Sequence, residues 1–199
     1  MRIGIDIDGV LTDTLKFKWK YGAKYFGISI NDICKDTYEI RDIFNVSHEK
    51  ESQFVREYFF EYYCSNNYLR PFASQVLNDL HNQNNEIVII TGRTEEDIAT
   101  FGLCTTMRAI TENWLKSCDI PYDELYLEIS NKPAKAIETK VDCYIEDLPY
   151  FLDKFLKCEY KSCICFDDVY NRYEPYASML RIKSWTELYS IIKRLEGDI

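Results

Sequence analysis

Two aspartates, Asp6 and Asp8, stand two residues apart at the end of the apolar run that opens the chain, Ile5-Asp6-Ile7-Asp8-Gly9-Val10. Side chains alternate along a strand, so both carboxylates share one side as long as the backbone stays extended. Gly9 then permits a sharp turn and lets backbone amides approach an anion. Such a pair can act as nucleophile and general acid/base, or it can hold a cation. By itself the spacing is a weak signal, since surface turns and sugar-nucleotide metal sites also carry it.

Three later segments strengthen it. The apolar run Ile87-Val88-Ile89-Ile90 ends in Thr91-Gly92-Arg93, which sets a hydroxyl and a flexible amide where a phosphoryl oxygen can be bound; a simple turn would use the same residues. Val141-Asp142-Cys143-Tyr144-Ile145 ends in Glu146-Asp147, an oxygen-rich pair of the kind that suits Mg²⁺. Between them, Asn131-Lys132-Pro133 opens a short helix and offers Lys132 as a cation for developing phosphoryl charge, with Lys135 as competitor one turn later. A rival acidic pair, Asp167-Asp168, follows the run ending at Phe166 and borders the site together with Asn171 or only makes a turn.

The elements that must position these residues follow from periodicity. Short apolar runs at Arg2–Ile7, Glu86–Thr91, Leu125–Glu128, Val141–Glu146, Ser162–Phe166 and Leu180–Ile182 alternate with helical patterns. The helices are expected near Phe72–Asn82, Met107–Ser117, Pro133–Lys140 and Tyr150–Lys157, and a last one is capped by Ser184 with Glu187 completing a capping box. This alternation predicts an α/β, Rossmann-like, doubly wound parallel sheet, whose ligand sites lie at the carboxyl ends of the strands. The acids and Thr91 fall at such ends, and Lys132 at a helix start on the same side.

The stretch from Thr14 to Arg70 breaks the alternation. It holds helical patterns near Leu15–Phe26 and His48–Tyr63 and is dense in rings, among them Phe17, Trp19, Tyr21, Phe54 and Tyr58. It reads as a small helical cap, residues 14–70, inserted after the first strand of a core made of 1–13 and 71–199. Most of its rings are expected to pack on one another. Whether Trp19, Tyr21 or Phe54 faces the acids bears on the kind of substrate.

Composition sets further bounds. The 199 residues carry a net charge of −9, which argues against nucleic acid polymers and anionic membranes as partners but leaves a small phosphate ester open. The eight cysteines form no CxxC pair and only two histidines are present, so neither zinc nor a disulfide framework is expected. The opening residues do not resemble a secretory signal, and no apolar run approaches the roughly 20 residues of a membrane span. The expectation is a soluble cytoplasmic protein whose acidic, aromatic-rich surface permits a homodimer.

Asp-x-Asp, Thr, Lys and an acidic pair, in that order and each at a strand end, resemble the four motifs of the haloacid dehalogenase superfamily over nearly the whole chain. The start IDIDGVL, Leu69-Arg70-Pro71-Phe72, ITGR, YIED and Ser184-Trp185-Thr186-Glu187 are most similar to the 5′(3′)-deoxyribonucleotidases and their bacterial nucleotidase relatives. The resemblance implies a Mg²⁺-dependent phosphomonoester hydrolase with Asp6 as nucleophile and Asp8 as acid/base. It further implies Thr91, Gly92 and Lys132 on the phosphate, and metal ligands among Asp6, Asp8, Asp147 and Glu146. The family often writes the last pair as two aspartates, so Glu146 departs from the pattern. The presence of Asp8 favours phosphoryl transfer over carbon–halogen cleavage. Four alternatives stay open: a phosphatase of sugar phosphates or other small metabolites, a phosphomutase, a phosphonate hydrolase using a cap lysine such as Lys16, Lys18, Lys20 or Lys24, and a non-catalytic binding module.

Overall fold

The computed structural model describes residues 1–95, 104–158, 160 and 162–197. Six strands, β1 (Arg2–Ile5), β2 (Glu86–Ile90), β3 (Glu124–Tyr126), β4 (Cys143–Glu146), β5 (Cys163–Phe166) and β6 (Arg181–Ile182), form one sheet. Its order is β3-β2-β1-β4-β5-β6 and every pairing is parallel. The expected strands are all present but shorter. Extended pairing on β1 stops at Ile5, because the Ile7 carbonyl turns to accept the amides of Val10, Leu11 and Thr12.

Alternation along the strands divides the core in two. Ile3, Ile5, Ile87, Ile89 and Ile145 pack with α5 (Ala73–Asn82), α6 (Met107–Ser117) and α9 (Trp185–Gly197), where Trp185 is fully buried. Val88, Ile90, Tyr144 and Cys163 face the other way, against α7 (Lys132–Glu138) and α8 (Pro149–Leu156). Both faces of the sheet are therefore covered, as an all-parallel sheet requires. Ser184 accepts the Glu187 amide at the start of α9, but the Glu187 carboxylate reaches the Lys183 amide, so the expected capping box closes one residue early.

Between β1 and α5 the chain forms α1 (Thr14–Phe26), α2 (Ile40–Phe44), α3 (His48–Glu57) and α4 (Phe59–Tyr63). Asp13 caps α1 through the Lys16 amide, and Gly27, in the left-handed region at φ 67°, ends it. The helix expected over His48–Tyr63 is two helices, broken at Tyr58 (φ −104°, ψ 21°), and α2 had no periodic signal because it has only five residues. Phe17, Ile40, Phe44, Phe54 and Tyr68 build the interior of this segment. Phe59 and Tyr63 of α4 lean instead on Met107 and Ile110 of α6, tying the segment to the sheet layer. Among the described residues no helix is long and apolar enough to cross a membrane.

Gly4, central in β1, is where the packing is tightest. A Cβ there would overlap the Tyr144 ring, which cannot withdraw because it stacks on Phe155 and its hydroxyl donates to the Ile90 carbonyl at 2.6 Å. Gly4→Ala should destabilise the fold by about 1–3 kcal/mol through overpacking, read as a lower urea midpoint at unchanged slope. An unchanged midpoint would contradict this account of the β1–β4 contact.

Candidate active site

The carboxyl edge of the sheet gathers the predicted residues from four separate segments. Asp6 follows β1, Thr91 follows β2, Glu146 ends β4 with Asp147 next to it, and Lys132 begins α7. Asn131 caps that helix by accepting the Ala134 amide, and Pro133 presets its first turn, so the Lys132 side chain has a fixed origin. Lys132 is almost fully buried, and its Nζ lies 2.8 Å from Asp6 Oδ2 and 2.8 Å from Glu146 Oε2, over the ring of Phe151. Lys135 pairs instead with Glu138 at 2.8 Å and lies outside this cluster.

Carboxylate oxygens of Asp6, Glu146 and Asp147 come within 4.8 Å of one another. Glu146 is fully engaged: Oε2 takes Lys132 while Oε1 accepts the Asp147 and Leu148 amides, each at 3.1 Å. The other two are not. Asp6 Oδ1 and Asp147 Oδ1 are buried and have no hydrogen-bond partner. Burial, relieved in part by Lys132 and reinforced by Glu146 and Asp8, pushes the Asp6 carboxyl up to about 7. Burial and the neighbouring Glu146 and Asp6 likewise push Asp147 well above the usual carboxylate range. Burial opposes the Lys132 charge, yet Asp6 and Glu146 outweigh it and hold the ammonium above its ordinary value. Two orphaned, hard, anionic oxygens in one buried cluster fit a divalent cation that prefers oxygen ligands.

Asp8 is held differently. Arg93 donates to both its oxygens, Nε to Oδ2 at 2.9 Å and Nη2 to Oδ1 at 3.0 Å. The guanidinium is buried and flanked by Tyr63, 5.1 Å away, and Trp114, 5.3 Å away. Sequence reasoning named Arg93 only as the end of a strand; the signal available was a cation next to Thr91-Gly92 with unassigned acids nearby. The rival pair Asp167-Asp168 is engaged elsewhere: Asp167 with Arg172 and Arg181, Asp168 with Arg70 at 2.9 Å.

Gly9 makes the approach of Asp147 to the β1 loop feasible. Its φ is +98°, and a Cβ there would occupy the space of the Asp147 carboxylate. A cavity of about 170 Å³ opens over these residues, lined by Asp6, Asp8, Thr91, Gly92, Arg93 and Lys132 and walled by Tyr38, Tyr62, Tyr63 and Phe151. Tyr38, Tyr62 and Tyr63 also line an adjoining cavity of about 230 Å³, shared with Phe17, Lys18, Phe54 and Tyr58. Phe54 thus reaches the second chamber, while Trp19 and Tyr21 pack inside the helical segment. A larger cavity of about 510 Å³ lies at the amino ends of β4 and β5; no charged side chain among the described residues lines it.

A six-stranded parallel sheet with a helical segment after β1 is the arrangement of a haloacid dehalogenase-superfamily phosphohydrolase, and the chain is an enzyme of the phosphatase class. Residues 1–196 match the family described as 5′ nucleotidase, deoxy (pyrimidine), cytosolic type C protein, and the chain belongs to that family. A nucleotidase of Clostridium acetobutylicum is 31% identical over 197 residues, covering 98% of this chain and 95% of the relative. In fold, the chain is similar to a phosphoserine phosphohydrolase-like protein from Francisella tularensis (TM-score 0.57, 17% identity, 96% and 99% of the two chains). It is also similar to a β-phosphoglucomutase from Clostridium difficile (TM-score 0.58, 16% identity, 99% and 97%).

The raised carboxyls give a pH-dependent prediction. Between the unfolded value near 3.8 and the folded value of about 7, folded Asp6 keeps a proton that the unfolded chain has lost. Its contribution therefore makes the cation-free protein lose stability as pH rises through that window. A divalent cation needs the ionised carboxylates, so saturating MgCl₂ should raise Tm more at about pH 8 than at about pH 5, where protons compete. Equal shifts at both pH values, or none, would contradict the assignment of this cluster as a cation site.

Proposed function

We propose that this enzyme is a Mg²⁺-dependent phosphomonoester hydrolase that works through an aspartyl-phosphate on Asp6 and acts on nucleoside monophosphates, deoxynucleotides among them. The observation that carries the reading is the pair of unpartnered buried oxygens, Asp6 Oδ1 and Asp147 Oδ1, beside a lysine already bonded to Asp6. Asp6, Asp147 and the Asp8 backbone carbonyl would hold the cation, with Glu146 serving as counter-ion to Lys132. When bound, Mg²⁺ supplies charge neutralisation between the nucleophile and an anionic substrate and polarises the phosphoryl oxygens.

The remaining work falls to the chain. The Asp6 carboxylate attacks phosphorus, and the ester P–O bond breaks with its electron pair passing to the leaving oxygen. Asp8, which must part from the Arg93 fork and take up a proton first, delivers that proton to the leaving oxygen, then accepts one from the water that cleaves the acyl phosphate and regenerates Asp6. Two of the three Lys132 N–H groups are taken by Asp6 and Glu146, which leaves one for a phosphoryl oxygen. The Thr91 hydroxyl and the Gly92 amide receive the others.

Residues 14–70 act as the cap in this reading and supply the walls that select the leaving group. Tyr38, Tyr62 and Tyr63 stand between the acidic cavity and the aromatic chamber, a setting in which a planar base can stack. The family match and the nucleotidase relative point to the same substrate class. All eight cysteines are free, as suits a reducing compartment such as the cytoplasm.

Phosphate release should be followed with Mg²⁺ across nucleoside 5′- and 3′-monophosphates, sugar phosphates and p-nitrophenyl phosphate. Asp6→Asn should abolish turnover of every substrate while leaving the far-UV spectrum unchanged; a variant of near-normal rate would sink the nucleophile assignment. Preference for sugar phosphates would keep the chemistry and discard the nucleotide. Asp8→Asn should slow nucleotide hydrolysis by about 10²–10⁴-fold and affect p-nitrophenyl phosphate far less, because p-nitrophenolate leaves without a proton. Equal losses on both would remove Asp8 from the acid role.

A further inference from the structure

The turn after β5 was unexplained by the catalytic residues, yet it is built against one of them. Residues Val169–Asn171 form a single 3₁₀ turn capped by Asp168. Asn171 donates to the backbone carbonyls of Asp147 at 2.7 Å and Phe166 at 3.0 Å, and Arg181 fixes its amide oxygen at 2.6 Å. Asp168 is tied to Arg70 at 2.9 Å, and Arg70 Nε donates to the Gly9 carbonyl at 3.0 Å. The turn is thereby anchored both to the β1 loop and to the end of the helical segment. Its central residue, Tyr170, is 2% exposed and donates its hydroxyl hydrogen bond to Asp147 Oδ2.

The consequence is a carboxylate with one oxygen engaged and the other open. Tyr170 holds Oδ2, and only Oδ1 is left without a partner. Asp6 is treated in the same way by Lys132, which holds its Oδ2 and leaves Oδ1. Glu146 has no oxygen left over. Two acids therefore offer one oxygen each.

We infer that Tyr170 is a cation-specificity residue: by occupying Asp147 Oδ2 it confines Asp147 to one-oxygen ligation and biases the cluster toward Mg²⁺ and against Ca²⁺. The inference rests on the reading of this cluster as a divalent-cation site. Mg²⁺ takes about six oxygens in near-octahedral order and is content with single carboxylate oxygens plus water. Ca²⁺ takes about 6–8 at longer distance and gains from bidentate carboxylates. Removing the Tyr170 hydroxyl frees Oδ2 for the larger ion and loosens the orientation of Oδ1 for the smaller one. Tyr38 of the helical segment meets the Tyr170 ring edge-on at 5.2 Å, so the phenol is held in place from both layers.

The test is calorimetric titration of the full-length protein with Mg²⁺ and, separately, Ca²⁺, for wild type, Tyr170→Phe and Tyr170→Met, with Tm shifts as a parallel readout. Wild type should favour Mg²⁺, and Tyr170→Phe should lose about tenfold in Mg²⁺ affinity while the Mg²⁺-to-Ca²⁺ ratio falls by at least as much. Equal loss for both ions, with the ratio unchanged, would overturn the specificity role and leave the cation site standing. Wild type that binds Ca²⁺ as tightly as Mg²⁺ would overturn it without any variant. Wild type that binds neither ion would remove the cation reading itself, and this inference with it.

Discussion

The arrangement depends on how three buried carboxylates tolerate one another. Asp6, Glu146 and Asp147 converge at the edge of the sheet, and one ammonium, Lys132, is shared between the first two. With all three ionised, three negative charges against one positive leave two in excess, and burial with mutual repulsion raises Asp6 and Asp147 so that they hold protons instead. Burying ionised groups without full compensation costs several kcal/mol per ion, so the cluster works against the stability of the fold. The chain relieves it only in part. Lys132 and two backbone amides satisfy Glu146, Tyr170 satisfies one oxygen of Asp147, and in the proposed reading a doubly charged ligand meets the rest.

The sheet makes this concentration of charge feasible. Parallel strands deliver their carboxyl ends to one edge, and the side chains there need no long loops to hold them. β1 and β4 are neighbours in the sheet, so Asp6 and Asp147 arrive side by side from positions far apart in sequence. Gly4 in β1 and Gly9 in the loop after it serve the same closeness from two directions, Gly4 by admitting Tyr144 beneath the site and Gly9 by admitting the Asp147 carboxylate beside it. The helical segment after β1 then completes the enclosure. Tyr63 flanks the Arg93 guanidinium that grips Asp8, and Tyr38 meets both the cavity and Tyr170.

Most of the fold was legible in the sequence because strand and helix periods are local. The six apolar runs each gave a strand, and Met107–Ser117 was read with the boundaries it has. Helix breaks were less legible: nothing local in His48–Tyr63 announces that Phe59 and Tyr63 must turn away to pack on α6. Asp6, Thr91, Lys132, Glu146 and Asp147 could be found because each sits at a strand end or helix start. Arg93 and Tyr170 could not be assigned, since their meaning comes from partners 85 and 23 residues away. The same limit applied to the rings: the sequence singled out Trp19, Tyr21 and Phe54, while the packing sets Tyr38, Tyr62 and Tyr63 on the acidic cavity and Trp19 and Tyr21 among the other rings.

The central claim is that a carboxylate of this chain becomes phosphorylated during turnover. Rapid acid quench of the Mg²⁺-loaded enzyme with a deoxynucleoside monophosphate, followed by proteolysis and mass spectrometry, tests it directly. The account predicts a phosphoryl group on the peptide containing Asp6, removed by hydroxylamine and absent from Asp6→Asn. Continued phosphate release with no phosphorylated carboxylate at any quench time, or a phosphoryl group on a different residue, would contradict it.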